Sequence, residues 1–115
     1  MQVMVAISLA LNVLVLVPVA SSLLLGLGWI EAAYGPKTPA RGILLSIYLA
    51  ILGISVALLF VPRPELVLPL LLAQILYKVT TPVTVGSLRN PVVVSNLGIA
   101  AVHAATVWSI LPAVI

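Results

Sequence analysis

Residues 42–62 read GILLSIYLAILGISVALLFVP and lie uncharged between Arg41 and Arg63. As an α-helix rising about 1.5 Å per residue, this stretch is about 30 Å long. That is the thickness of a bilayer's hydrocarbon core, which takes about 20 apolar residues to cross. Arg41 to Val61 therefore predicts a transmembrane helix. A barrel strand would alternate apolar and polar residues over about ten positions, and no segment of the chain does so.

Working outward, the chain's charges are Glu31, Lys37, Arg41, Arg63, Glu65, Lys78 and Arg89. Residues 1–30 carry none, and Val3 to Gly28 predicts a first helix. The stretch Val17-Pro18-Val19-Ala20-Ser21 loosely resembles a signal-peptidase site, but a signal peptide wants basic residues before it. We read the segment as a retained helix. Residues 90–115 are also uncharged, and Asn90-Pro91 offers an N-cap followed by proline at the first helical position. Pro91 to Pro112 predicts another helix.

The third span is ambiguous. The run Leu66–Tyr77 is too short to cross alone, and extension past Lys78 is needed. In one reading the helix ends near Thr80 and Lys78 snorkels to the headgroups. In the other it runs on through Thr81 and Pro82, and Lys78 faces protein. The first is preferred, because Tyr77 beside Lys78 suits an interface and the residue before a proline tends to leave the helical region. The expectation is one all-α domain over 1–115, an integral membrane protein of four transmembrane helices at 3–28, 41–61, 65–82 and 91–112. Gly35-Pro36, Pro62-Arg63-Pro64 and Gly86-Ser87 make short connections, so the bundle is antiparallel, up and down.

Composition agrees. Of the 115 residues, 63% are hydrophobic and 6% charged, against about half and about a quarter in soluble domains. The inventory also excludes much chemistry. With no Cys, no Asp, two Glu and one His, the chain lacks the parts for disulfides, thiolate metal sites, a Ser-His-Asp triad or a di-iron carboxylate site. No phosphate-binding glycine motif occurs. A formal net charge of +3, scattered between apolar runs, does not point to nucleic acid. A self-contained enzyme is not expected, nor a cofactor or metal bound by this chain alone.

With an even number of spans, Lys37, Arg41, Lys78 and Arg89 lie on one side and Arg63 on the other. The positive-inside rule then puts both termini outside the cytoplasm.

His103 stands near mid-membrane, where an ionisable group is a functional-site hypothesis. Asn96 and Thr106 share its helix face. Two readings stay open. His103 can hydrogen-bond a neighbouring helix through Asn12, Thr106 or a backbone carbonyl. Alternatively, His103, Asn96 and Thr106 can contact a cofactor held by a partner subunit, or line a proton or substrate path. Asn12 and Pro18 suggest an interhelical hydrogen bond with a packing kink, or a polar pocket. Gln74 and Lys78 share a face of the third helix, and Lys78 could pair with Glu31. Lys37, Arg41, Lys78 and Arg89 together could bind anionic lipid headgroups. Small residues at four-residue spacing, such as Gly53/Ala57 and Ala100/Ala104, permit close helix approach.

In length and helix count the chain is similar to small multidrug resistance transporters and to DoxX-like membrane proteins. The former work through a membrane-embedded Glu in the first helix, and Asn12 occupies that depth here. No motif ties the chain to either family.

The expectation is a non-catalytic accessory subunit of a larger membrane complex, respiratory or oxidoreductase in kind, packing lipid or cofactor. Its partners would be other membrane subunits and phospholipids. The alternative is a small homo-oligomeric transporter or channel with a polar stripe on its first and last helices.

Overall fold

The computed structural model describes residues 2–115. Among them are five helices and no strand: α1 Val3–Leu25, α2 Gly28–Tyr34, α3 Pro39–Phe60, α4 Pro64–Val85 and α5 Pro91–Val114. All except α2 are long and apolar enough to cross a membrane. The protein is thus a multi-pass helical bundle of the expected class.

Local chemistry sets the boundaries. Gln2 caps α1, its side chain accepting from the Val5 amide. Gly26 then adopts the left-handed conformation at φ 66°, and the Leu27 amide reaches back to the Ser22 carbonyl. This is a Schellman-type stop. It ends α1 three residues before the expected Gly28 and frees residues 28–34 to form α2, which the sequence reading did not anticipate. Thr38 caps α3 ahead of Pro39, and Asn90 caps α5 ahead of Pro91.

The largest departure concerns α4. The helix continues through Thr81 and Pro82 to Val85. Pro82 has no amide proton to give the carbonyl of Lys78, four residues back. The Thr81 hydroxyl donates to that carbonyl instead, at 2.6 Å, and Thr80 donates to the Tyr77 carbonyl at 2.8 Å. A freed carbonyl met by a hydroxyl lets a helix carry proline inside a membrane. Lys78 is consequently interior to α4, about 10 Å before its end at 1.5 Å per residue. It is only 4% exposed. The preferred expectation, a helix ending near Thr80 with a snorkelling lysine, is corrected.

The helices do not pack in chain order. The extensive pairs are α1 with α3 and α4 with α5, while α3 and α4, joined by the tight Pro62–Pro64 turn, touch little. The two pairs meet where α1 crosses α5, giving the lateral order α3–α1–α5–α4. Gln2 donates to Ser109 at 2.9 Å, so the beginning of α1 lies beside the end of α5.

Two apolar cores fill the bundle. One joins all four long helices near the termini through Val5, Leu9, Leu58, Val67, Leu71 and Ile110. The other, at the opposite end, gathers Leu16, Leu23, Ile30, Tyr48 and Ile51 from α1, α2 and α3. Buried polar side chains, Asn12, Ser55 and His103 among them, lie amid these cores.

Candidate functional site

The first polar group lies between α1, α3 and α5. His103, fully buried, stands at the middle of α5. Its Nε2 is 2.9 Å from Asn12 Oδ1 and its Nδ1 is 3.0 Å from Ser8 Oγ. The Asn12 amide nitrogen donates onward to Ser55 Oγ on α3 at 3.0 Å. Ser8 lies 2.6 Å from the Thr106 hydroxyl, which also approaches the Met4 carbonyl at 3.1 Å.

These contacts form one connected network. Because the Asn12 amide nitrogen faces Ser55, its oxygen faces the imidazole, and Nε2 must donate to it. Nδ1 of the neutral ring then accepts from Ser8, and Ser8 and the Met4 and Val102 carbonyls compete for the single Thr106 proton. Residues 8 and 12 are four apart on one helix face, and 103 and 106 three apart on another. A single line of hydrogen bonds therefore stitches three helices.

Of the expected trio, the structure unites His103 and Thr106 but not Asn96. Asn12 joins them through an interhelical hydrogen bond, while Pro18 lies exposed. Both ring nitrogens of His103 are engaged within the chain, so contact with an outside cofactor would require one of these bonds to be given up.

Asn96 belongs to the second group. Its Oδ1 accepts from Lys78 Nζ at 3.1 Å, joining α5 to α4. The ammonium also lies 4.8 Å from the centroid of the adjoining Tyr77 ring. Glu31 does not pair with Lys78, and the ion pair among the described residues is Arg63–Glu65, at 2.7 Å on the surface. Lys78 has three protons to donate, and among the described residues Asn96 supplies one acceptor.

Two half-open pockets adjoin this level of the bundle, and Lys78 lines the smaller of them. A cavity of about 180 Å³ is lined by Leu16, Val19, Trp29, Tyr34, Lys78 and Asn96, among others. A second, of about 410 Å³, is lined by Tyr34, Tyr48, Tyr77, Thr81, Val92 and Asn96 among others. Tyr34, Tyr48, Val92 and Asn96 line both cavities. Tyr34 packs edge-on against Tyr48, with ring centroids 6.1 Å apart, and their hydroxyls lie 3.4 Å apart. Tyr34 belongs to α2, outside the spans. Burial, reinforced by Tyr48, raises its pKa above the usual phenol value and keeps it protonated. The buried Tyr77 hydroxyl has no hydrogen-bond partner.

Helix α2 walls both cavities and is pinned in place. Asn90 donates to the Ala33 carbonyl at 2.8 Å, and the Arg41 guanidinium donates to the Gly35 carbonyl at 3.1 Å.

The four basic residues expected to share a headgroup site are divided by the fold. Lys78 is buried, whereas Lys37 and Arg89 are exposed. Lys37 and Arg41 line a separate shallow pocket with Leu23 and Leu45. The convergence of three tyrosines on the larger pocket, beside Lys78, was missed by sequence reading. Tyr34, Tyr48 and Tyr77 come from three helices and have no shared periodicity. The one available signal was a lysine inside a stretch that must span.

No known family model matches the chain, and no match was found among curated proteins or solved structures.

Proposed function

We propose that this protein is a non-catalytic accessory subunit of a larger membrane complex, and that its bundle holds a lipid or cofactor for that assembly. The observation that carries this reading is the closure of the central polar line. Ser8, His103, Asn12, Ser55 and Thr106 bond one another. A catalyst needs a polar group with a valence left for substrate, and a conduit needs a polar file open along its length. In this line both ring nitrogens of His103 are taken up by side chains of the bundle, which supports a structural role. Lys78, the one buried charge among the described residues, instead lines a pocket with Trp29, Tyr34 and Tyr48, which suits holding a molecule more than transforming it.

The orientation that accompanies this reading places both termini outside the cytoplasm. It is supported by the excess of basic residues on the two connections away from the termini.

The test is gentle detergent extraction of the tagged protein from its native membrane, followed by mass determination of the intact species. Stable co-purification with larger, different membrane subunits is the expected result. A species built only from copies of this chain would overturn the reading and favour the transporter alternative.

A further inference from the structure

We propose that the pair of pockets beside Lys78 is a binding site for one amphipathic molecule with an anionic oxygen headgroup, a carboxylate or a phosphate on an apolar chain. The proposal rests on the reading above in taking the bundle as a holder of lipid-like molecules, and it adds the headgroup chemistry and the residues that select it.

The argument begins with an unbalanced charge. Lys78 is 4% exposed and lies within a membrane-crossing helix, yet its contacts are one amide oxygen and one ring face. A buried cation without a counter-charge is strongly unfavourable, and membrane-embedded lysines face a partner or a cavity for that reason. Among the described residues no carboxylate reaches it, and a pocket of about 180 Å³ adjoins it. An anionic oxygen placed there would accept the remaining ammonium protons. Tyr77, whose ring carries the ammonium on its face, also lines the adjoining pocket.

The walls suit the rest of such a molecule. The larger cavity, about 410 Å³, falls in the range of small-molecule sites, about 300–1,000 Å³. Leu44, Val85, Val92 and Val93 supply its apolar lining. Val15, Leu16 and Val19 do the same for the smaller cavity. A few polar groups converge at one level, and apolar surface leads away from them. A neutral polar ligand would leave the ammonium uncompensated, and a cation would be repelled.

Trp29 lines the smaller cavity, whereas Trp108 lies at the far end of α5 among Leu111, Pro112 and Ile115. With Trp108→Phe, Trp29 becomes the sole tryptophan, since the chain has two. The variant is reconstituted into phosphatidylcholine vesicles, and brominated probes are added whose contact quenches Trp29 emission. The probes are brominated oleate, phosphatidylglycerol, phosphatidylcholine and oleyl alcohol.

The proposal expects an anionic probe to reach half-quenching at a concentration about tenfold below that of the neutral probes, the scale of one charge-assisted hydrogen bond. Lys78→Met removes the preference, Lys78→Arg retains much of it, and Arg89→Gln, at an exposed cation, leaves it unchanged. Thermal melts establish that each variant is folded. Preference for oleate alone assigns a free carboxylate, preference for phosphatidylglycerol alone assigns a phospholipid, and preference for both assigns the shared headgroup chemistry. Equal quenching by neutral and anionic probes, or an unchanged preference in folded Lys78→Met, overturns the proposal. Co-purification with other subunits is measured separately, so the accessory-subunit reading stands or falls on its own result.

Discussion

His103 and Asn12 meet at 2.9 Å across 91 residues of sequence, and their contact is the centre of a line of side chains joining α1, α3 and α5. Removing either residue strands the others. His103→Ala leaves Ser8 and Asn12 without their ring partner and opens a cavity, so it should destabilise the folded bundle by about 2–4 kcal/mol. Asn12→Ala should cost about 1–2 kcal/mol. The double variant should fall short of the sum by about 0.6–1.7 kcal/mol, the range of interhelical hydrogen bonds in membranes. Equilibrium unfolding in mixed detergent micelles measures all three, and strict additivity would show that the network is not one unit.

The pairing of Thr81 with Pro82 makes a second prediction. Thr81→Val removes the hydroxyl that meets the Lys78 carbonyl and should destabilise by about 1 kcal/mol. Pro82→Ala restores an amide proton to the same carbonyl. The loss at Thr81 should therefore be much smaller when Pro82 is also alanine. Equal losses in the two backgrounds would show that the hydroxyl does not serve the proline.

Lys78→Met should leave the unliganded protein at least as stable as the parent, because replacing a poorly compensated buried charge by an apolar side chain of similar length is neutral or favourable. Melting temperature in neutral detergent reads this directly. A large drop would mean that the ammonium has a compensating partner that the bundle as described does not provide.

Gly26 offers a purely conformational test. Its φ is +66°, and a Cβ added there meets no atom within 4 Å. Gly26→Ala should thus cost about 1 kcal/mol through backbone strain alone. Gly53→Ala, also in open space but inside α3 at an ordinary φ, should be neutral or slightly stabilising. Unfolding curves for the pair compare the two.

Topology can be checked with single cysteines, since the native chain has none. A cysteine at Gln2 should react with an impermeant thiol reagent added outside intact cells, and one at Ser87 should be shielded. The reverse pattern would invert the orientation.

Much of this architecture could be read in advance, and for physical reasons. Seven charges in 115 residues leave long apolar gaps, and bilayer thickness converts those gaps into helices. His103, Asn12 and Thr106 were legible as an interhelical group because polar side chains in lipid must find one another. What escaped reading depended on cooperation between residues. The continuation of α4 required Thr80 and Thr81 to act for the carbonyls near Pro82, whereas proline alone argues for a stop. The α2 segment required Gly26 to choose the left-handed conformation. Asn96 shares a helix face with His103, yet it turns to Lys78 because a buried ammonium is the stronger claimant on an amide oxygen.

The lateral order of the helices bears on how the protein is made. The α1–α3 pair leaves the ribosome first, carrying Ser8, Asn12 and Ser55 on its surface toward the rest of the bundle. Their partners His103 and Thr106 sit on the last helix. Until α5 is synthesised, the early pair presents amide and hydroxyl groups to lipid, and the tight α3–α4 turn does nothing to cover them. Arrival of α5 is thus the step that closes the structure. A nascent chain stalled before it would display an unsatisfied polar seam to lipid.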